Sequence, residues 1–173
     1  RTIRHDEVLG LEAFCLQGYA QPFPRHFHDY YVLGFVVSGE RELLCNGLNF
    51  QVFPDNLLIF NPRDNHECVS TSRAPFLHYL GFNILKKRME EISMELTGES
   101  CLPQFKPTVF SDESAGSTFL ELHQLIMQRS DELRKEELFY ILFSRLFGNY
   151  AHTSLRSFPL RSTQIKKACE YLE

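Results

Sequence analysis

Two apolar runs flanking Asn46-Gly47 constrain this chain more than any other feature. Both residues tolerate the positive φ that a two-residue type I′ turn demands, so residues 41–45 and 48–53 are predicted to form a β-hairpin. The stretch around it is built the same way. A long strand is expected from Arg25 to Val37 and ends at Gly39, and Pro54-Asp55 has the residue types of a tight turn. Leu57–Phe60, His66–Ser70 and Phe76–Phe82 read as further strands, and residues 11–17 as an earlier one. Seven short strands, with one later candidate at Val109-Phe110, predict a closed or nearly closed antiparallel barrel. The run Val32–Val37 is apolar at every position, as in a barrel strand covered outside as well as inside.

Three histidines lie within this β-rich part. His26 and His28 are two apart, so in an extended strand both imidazoles leave the same face, which Tyr30 shares while Tyr31 takes the other. His66 can join them if its strand neighbours theirs. Three imidazoles on one centre suit zinc, nickel or iron. The competing reading is that they hydrogen-bond a ligand or nearby backbone. Cys68, two residues after His66, would line the same wall, or else be a small buried hydrophobe. His78 shares its face with Phe76, Leu80 and Phe82, and is either an inward-pointing donor or a satisfied core histidine. Aromatic faces combined with hydroxyl and imidazole donors suit a sugar or another small polyhydroxyl compound.

The ordered set His26-x-His28-Asp29-Tyr30-Tyr31, Ser38-Gly39, Asn46-Gly47, Pro54, Asn61-Pro62 and His66 resembles the cupin-type effector-binding domain of the arabinose-regulator (AraC) family of bacterial transcription factors. The resemblance covers roughly residues 8–173. It implies a jelly-roll barrel that holds a small effector, helices that dimerise, and a linker to a DNA-binding domain. It also leans His78 toward the pocket. Two departures stand out: Asp55 replaces the glycine that usually follows the turn proline, and Val32 stands where metal-binding cupins generally carry a glutamate. Without that carboxylate, a hard-metal oxygenase is disfavoured relative to a three-histidine zinc or nickel site.

Beyond residue 83 the periodicity changes. Ile84, Leu85, Met89, Ile92 and Leu96 alternate with charges to give an amphipathic helix ended by Gly98. A loop with Pro103 and Pro107 leads to a second helix carrying Phe119, Leu122 and Ile126, in which Thr118 and Glu121 have the spacing of a capping box. A third helix, about Asp131 to Tyr150, is apolar on more than one face. One face can lie on the barrel, and the other needs either the second helix or a second copy of the chain. Leu138, Leu142, Leu146 and Tyr150 are the expected dimer contacts.

The expected architecture is therefore mainly β plus α. A cupin-like jelly-roll β-barrel occupies 1–83, a helical dimerisation subdomain 84–151, a linker 152–162, and the start of a truncated helix-turn-helix domain 163–173. Ile165, Ala168, Cys169 and Leu172 mark the apolar stripe of that last segment, which by itself should bind DNA weakly or not at all.

Composition agrees. With 43% hydrophobic residues and 16 phenylalanines, 173 residues can fill a sizeable core. The net charge of −4 argues against a protein that coats nucleic acid, although the last 22 residues hold 4 basic and 2 acidic groups. Five cysteines without a CxxC pair predict reduced thiols in a cytoplasmic protein. No apolar run approaches the roughly 18 residues of a membrane span, and no leader is expected. The chain begins at Arg1 and not at methionine, as expected of a piece of a longer protein. Glycine-rich phosphate loops and nucleophile elbows are missing. Two functions compete: a ligand-sensing, dimerising regulator domain, and a metal-dependent cupin enzyme acting on a small sugar or polyol.

Overall fold

The computed structural model describes residues 1–71 and 76–152. Antiparallel strands form two facing sheets, and three helices cover the outside of one of them. The larger sheet contains β1 (Thr2–Asp6), β2 (Leu11–Tyr19), β4 (Tyr31–Ser38), β7 (Leu57–Phe60), β9 (Leu77–Ile84) and β11 (Val109–Phe110), in the order β1-β2-β9-β4-β7-β11. The smaller contains β3 (Phe23–His26), β5 (Arg41–Cys45), β6 (Leu48–Val52) and β8 (His66–Ser70), in the order β3-β8-β5-β6. The helices are α1 (Lys86–Thr97), α2 (Glu113–Gln128) and α3 (Glu132–Tyr150). Short strands β10 (Gln104–Phe105) and β12 (Ala151–His152) pair with each other.

The local rules explain most of these elements. Asn46 and Gly47 both adopt positive φ (50° and 82°), and β5 and β6 pair around them from Cys45↔Leu48 to Arg41↔Val52. Asp55 takes φ 67°, a conformation aspartate tolerates better than most side chains. Gly98 caps α1 in the left-handed conformation, its N–H bonded to the Met94 carbonyl.

Strand β4 shows why its residues are apolar on both faces. Tyr31, Leu33 and Phe35 belong to the core shared with the helices, whereas Val32 and Val36 belong to a second core between the two sheets. Strand β9 divides the same way: Leu80 and Phe82 pack outward under α2, while Leu77 and Tyr79 face inward.

Several expectations need correction. The strand drawn from Arg25 to Val37 is two strands, because the chain breaks between Phe27 and Tyr30 to pass from the small sheet to the large one. A strand at Thr2–Asp6 precedes the first one expected and pairs with β2. Helix α2 does not start near Thr118. Asp112 is its N-cap, accepting a hydrogen bond from the Ala115 N–H at 3.0 Å, and Thr118 instead bonds back to the Ser114 carbonyl.

The dimer contacts assigned to α3 are also displaced. Leu138, Leu142 and Leu146 are 3%, 0% and 1% exposed within the single chain, packed with Phe139, Phe143 and Phe147 against the sheet and α2. Tyr150 packs tilted against Phe110, ring centroids 4.3 Å apart, and donates its hydroxyl hydrogen to Asp112 at 2.9 Å. The broad apolar surface of α3 is thus consumed by its own chain, and what it leaves outside is Leu133, Tyr140 and Ile141. Apart from His152, the segments expected as linker (152–162) and truncated helix (163–173) lie outside the described residues.

A buried ion pair ties the first hairpin to α3. Lys135 Nζ lies 2.6 Å from Asp6 Oδ2, and both side chains are almost fully enclosed. The other Asp6 oxygen accepts the Leu9 N–H at 2.9 Å. Burial by itself raises the Asp6 carboxyl, but the Lys135 hydrogen bond and charge outweigh it, so the group stays below the usual carboxylate range.

Candidate functional site

The space between the sheets is a cavity of about 220 Å³. That is below the roughly 300 Å³ at which drug-sized pockets begin, so it suits a small molecule. One end is built by the histidines. His26, on β3, pairs in register with His66 on β8, and His28 enters from the segment after β3. The ring centroids are 4.3 Å apart for His26 and His66, 4.9 Å for His26 and His28, and 5.3 Å for His28 and His66.

Loop geometry holds these rings in place. Asp64 accepts from the Asn61 N–H at 2.7 Å and from Asn46 Nδ2 at 2.7 Å, which folds the 61–65 loop directly before His66. Asn61 in turn exchanges two hydrogen bonds with the Phe105 backbone, so the Asn61-Pro62 motif fastens β10 to the barrel rim. His66 stacks on Phe60 at 4.0 Å, and His28 on Tyr30 at 4.8 Å.

The tautomers of two rings follow from their partners. His26 Nδ1 is 2.6 Å from the Pro24 carbonyl, and His66 Nδ1 is 2.9 Å from the Asp64 carbonyl. A carbonyl only accepts, so each Nδ1 carries a hydrogen and Nε2 is the ring nitrogen left to meet a ligand. Burial and the neighbouring histidines push His28 down to about 4, and burial likewise lowers His66. His28 and His66 therefore favour the neutral form, which leaves each a lone pair at this end.

One nitrogen from each of His26, His28 and His66 lies within 4.8 Å of the others, a spacing that could close on a metal ion. Orientation of a ligating ring by a backbone carbonyl is the usual support for a metal-binding histidine. The donor set fits zinc or nickel. It fits a hard metal poorly, since Val32 occupies the position of the missing carboxylate and lines the cavity wall.

The floor of the cavity lies over two glycines. Gly34 and Gly81 pair across β4 and β9, and a Cβ on them would meet the Tyr79 hydroxyl at 1.8 Å and the Phe14 ring at 2.1 Å. Glycine at both positions lets these rings pack close over the sheet, tilted 54° to each other. Leu16, Val36, Leu43, Val52, Leu58 and Phe60 supply apolar wall, and Cys68 and Arg41 reach in from the small sheet.

Of the six side chains expected to bind ligand, the structure brings His26, His28, Tyr30, His66 and Cys68 to this one cavity. His78 is elsewhere. It faces outward with Leu80 and Phe82, its Nε2 3.6 Å from Cys15 Sγ. Alternation correctly groups these residues, but β9 is apolar on both sides, so grouping does not tell which side is inner. Arg41, Tyr79, Phe14 and Asn83 were not singled out by sequence. The strand-interior glycines Gly34 and Gly81 are the signal that could have found the floor.

A hollow antiparallel barrel with converging polar side chains and a helical cover defines a ligand-binding module of the cupin class. The family model of the AraC-like ligand binding domain matches residues 10–143, and the chain belongs to that family. It is 40% identical over 174 residues to an uncharacterized HTH-type transcriptional regulator, YbfI, of Bacillus subtilis, covering all of this chain and 63% of that protein. The chain thus spans less than two thirds of the relative's length. A crystal structure of an apo ToxT variant from Vibrio cholerae shares the fold at 13% identity, with a TM-score of 0.57 over 80% of this chain and 55% of the other. A cupin protein from Bacteroides fragilis overlaps 44% of this chain and 66% of its own, at 16% identity and a TM-score of 0.39. No helix among the described residues is long and apolar enough to cross a membrane.

Proposed function

We propose that this chain is the effector-sensing part of an AraC-type transcription regulator of the bacterial cytoplasm. A small molecule enters the barrel, the chain pairs with a second copy, and occupancy controls DNA binding by a separate domain. The observation that carries the reading is the cavity itself: His26, His28, Tyr30 and His66 of the family motif, with Cys68, converge on one space from two separate stretches of the chain. The relative's description as an HTH-type regulator, and its greater length, support a DNA-binding portion outside this chain. Coupling requires only that the effector prefer one arrangement of the regulator by about 1–3 kcal/mol. In a promoter reporter driven by the intact regulator, Val36→Phe fills the cavity and is expected to abolish the effector response while preserving thermal stability and operator binding. An unchanged response would place sensing elsewhere.

A second reading is favoured by the carbonyl-anchored rings of His26 and His66. His26, His28 and His66 would hold zinc or nickel, which would supply a Lewis-acidic position facing the cavity. This reading keeps a metal-dependent cupin enzyme acting on a small polyol as the competing function. Zinc chloride is expected to raise the melting temperature of the wild type but not of His66→Ala. Equal responses from both proteins would remove the metal.

A further inference from the structure

The polar groups around the cavity divide into those already engaged and those left over. At the end of β5 away from His66, Arg41 is 1% exposed and donates through its Nη atoms to the carbonyls of Glu40 and Tyr19. The Tyr79 hydroxyl is enclosed over the Gly34 backbone and is out of a ligand's reach. Asn83 Nδ2 donates to Glu12 at 2.7 Å, and the Arg1 guanidinium lies 5.6 Å from the centre of the Phe14 ring.

The groups left over gather at the histidine end. Nε2 of His26, Nε2 of His66, both ring nitrogens of His28 and the Tyr30 hydroxyl make no hydrogen bond among the described residues. They are neighbours, since the His28 ring lies against Tyr30 and against both other imidazoles. His66 is 5% exposed yet lines the cavity, so its open nitrogen has the enclosed space, and not bulk water, to meet. An enclosed polar group without a protein partner is a mark of a ligand position.

The rest of the wall is hydrocarbon from both sheets. Leu16, Val36 and Leu58 face in from the larger sheet, and Leu43 and Val52 from the smaller. A polyol fits this surface badly, because each hydroxyl facing Leu43, Val52 or Leu58 would lose its water without gaining a partner. A single hydroxyl at the histidine end is well placed, since it can donate to an imidazole nitrogen or accept from one.

Resting on the reading of the cavity as the effector site, we infer that the effector is a small hydrophobic alcohol or phenol, its one hydroxyl among His26, His28, His66 and Tyr30 and its hydrocarbon body between the aliphatic walls of the two sheets. The histidine end sets the ligand's orientation, and the walls reject sugars.

The test uses the intact chain in EDTA, so that no metal intervenes, and probes matched in shape. Cyclohexanol, p-cresol and 1-hexanol are compared with the analogues in which methyl replaces hydroxyl, with cyclohexanecarboxylate, and with inositol, arabinose and glucose. Calorimetry and thermal shift are expected to show binding of at least one hydroxyl probe, about ten-fold weaker binding of its methyl analogue, and none of the polyols. This comparison needs no variant. His66→Phe, which keeps a ring against Phe60, is expected to erase most of the ten-fold preference while the methyl analogue binds as before. Equal binding of the hydroxyl and methyl members by the wild type would overturn the inference, as would tighter binding of the carboxylate. Binding of a polyol, lost in Val36→Phe, would overturn the assignment of ligand class and leave the effector site standing. Hydroxyl probes bound equally by Val36→Phe lie outside the barrel, and failure of all of them to bind leaves the proposed class without a site. Either result overturns the inference, while the effector reading stands or falls separately by the promoter reporter.

Discussion

Leu142→Asp is expected to leave no folded protein, whereas Ile141→Asp leaves a folded one. The two residues are adjacent on α3, yet Leu142 is 0% exposed and Ile141 is 47% exposed. An aspartate at 142 would put a carboxylate among Phe139, Phe143 and Leu146, where it cannot be hydrated. Even protonated, it would add an unpaired buried polar group to the lost leucine packing, a cost comparable with the roughly 5–15 kcal/mol of stability a domain possesses. Even Leu142→Ala should cost about 2–5 kcal/mol. At 141 the charge faces solvent in the single chain. If the outer side of α3, with Leu133 and Tyr140, is the homodimer contact, Ile141→Asp should give a monomer of native circular dichroism by light scattering. Should the wild type be a dimer and this variant remain one, the contact lies elsewhere.

Lys135→Ala is expected to have the next largest effect, a loss of about 3–5 kcal/mol, because it leaves the enclosed Asp6 carboxylate without its counter-charge. At the 2–4 °C per kcal/mol usual for a chain of this size, the melting temperature should fall by roughly 6–20 °C. Adding Asp6→Ala should restore part of it, since the second change removes the stranded charge. The same pair sets an acid limit. The folded Asp6 carboxyl lies below its unfolded value of 3.8, so its contribution is complete above that pH and is lost as the pH falls through the folded value. Asp6→Asn should flatten that part of the acid denaturation curve. Denaturant melts of the single and double variants measure all of these terms, and a loss under 1 kcal/mol for Lys135→Ala would show that the pair is hydrated.

Short-range chemistry was legible in the residues. Asn46-Gly47 turns where positive φ was required, Gly98 stops α1, and the uniform apolarity of Val32–Val37 does reflect a strand covered on both faces. The histidine pair does meet at one cavity, but by a route other than the one expected. His28 is not on a strand with His26, and it arrives because the chain crosses between sheets. The capping box at Thr118 had the correct pattern in the wrong place. Asp112 caps the helix instead, and its carboxylate is held down to about 2, chiefly by the hydrogen bond from Arg145, a residue 33 positions away.

Turn residues, alternation and helix periodicity act over a few bonds, and each answers only which side chains travel together. Whether His78 turns toward the cavity or toward Cys15, and whether Leu142 meets a second copy or its own barrel, depends on which surfaces the packed sheets and helices bring opposite it. The hollow itself is of that kind. Gly34 and Gly81 are 47 residues apart and mean nothing singly, but paired across β4 and β9 they admit two aromatic rings and give the barrel its floor. Contacts between distant segments carry no local signature, because they are created only when the layers close.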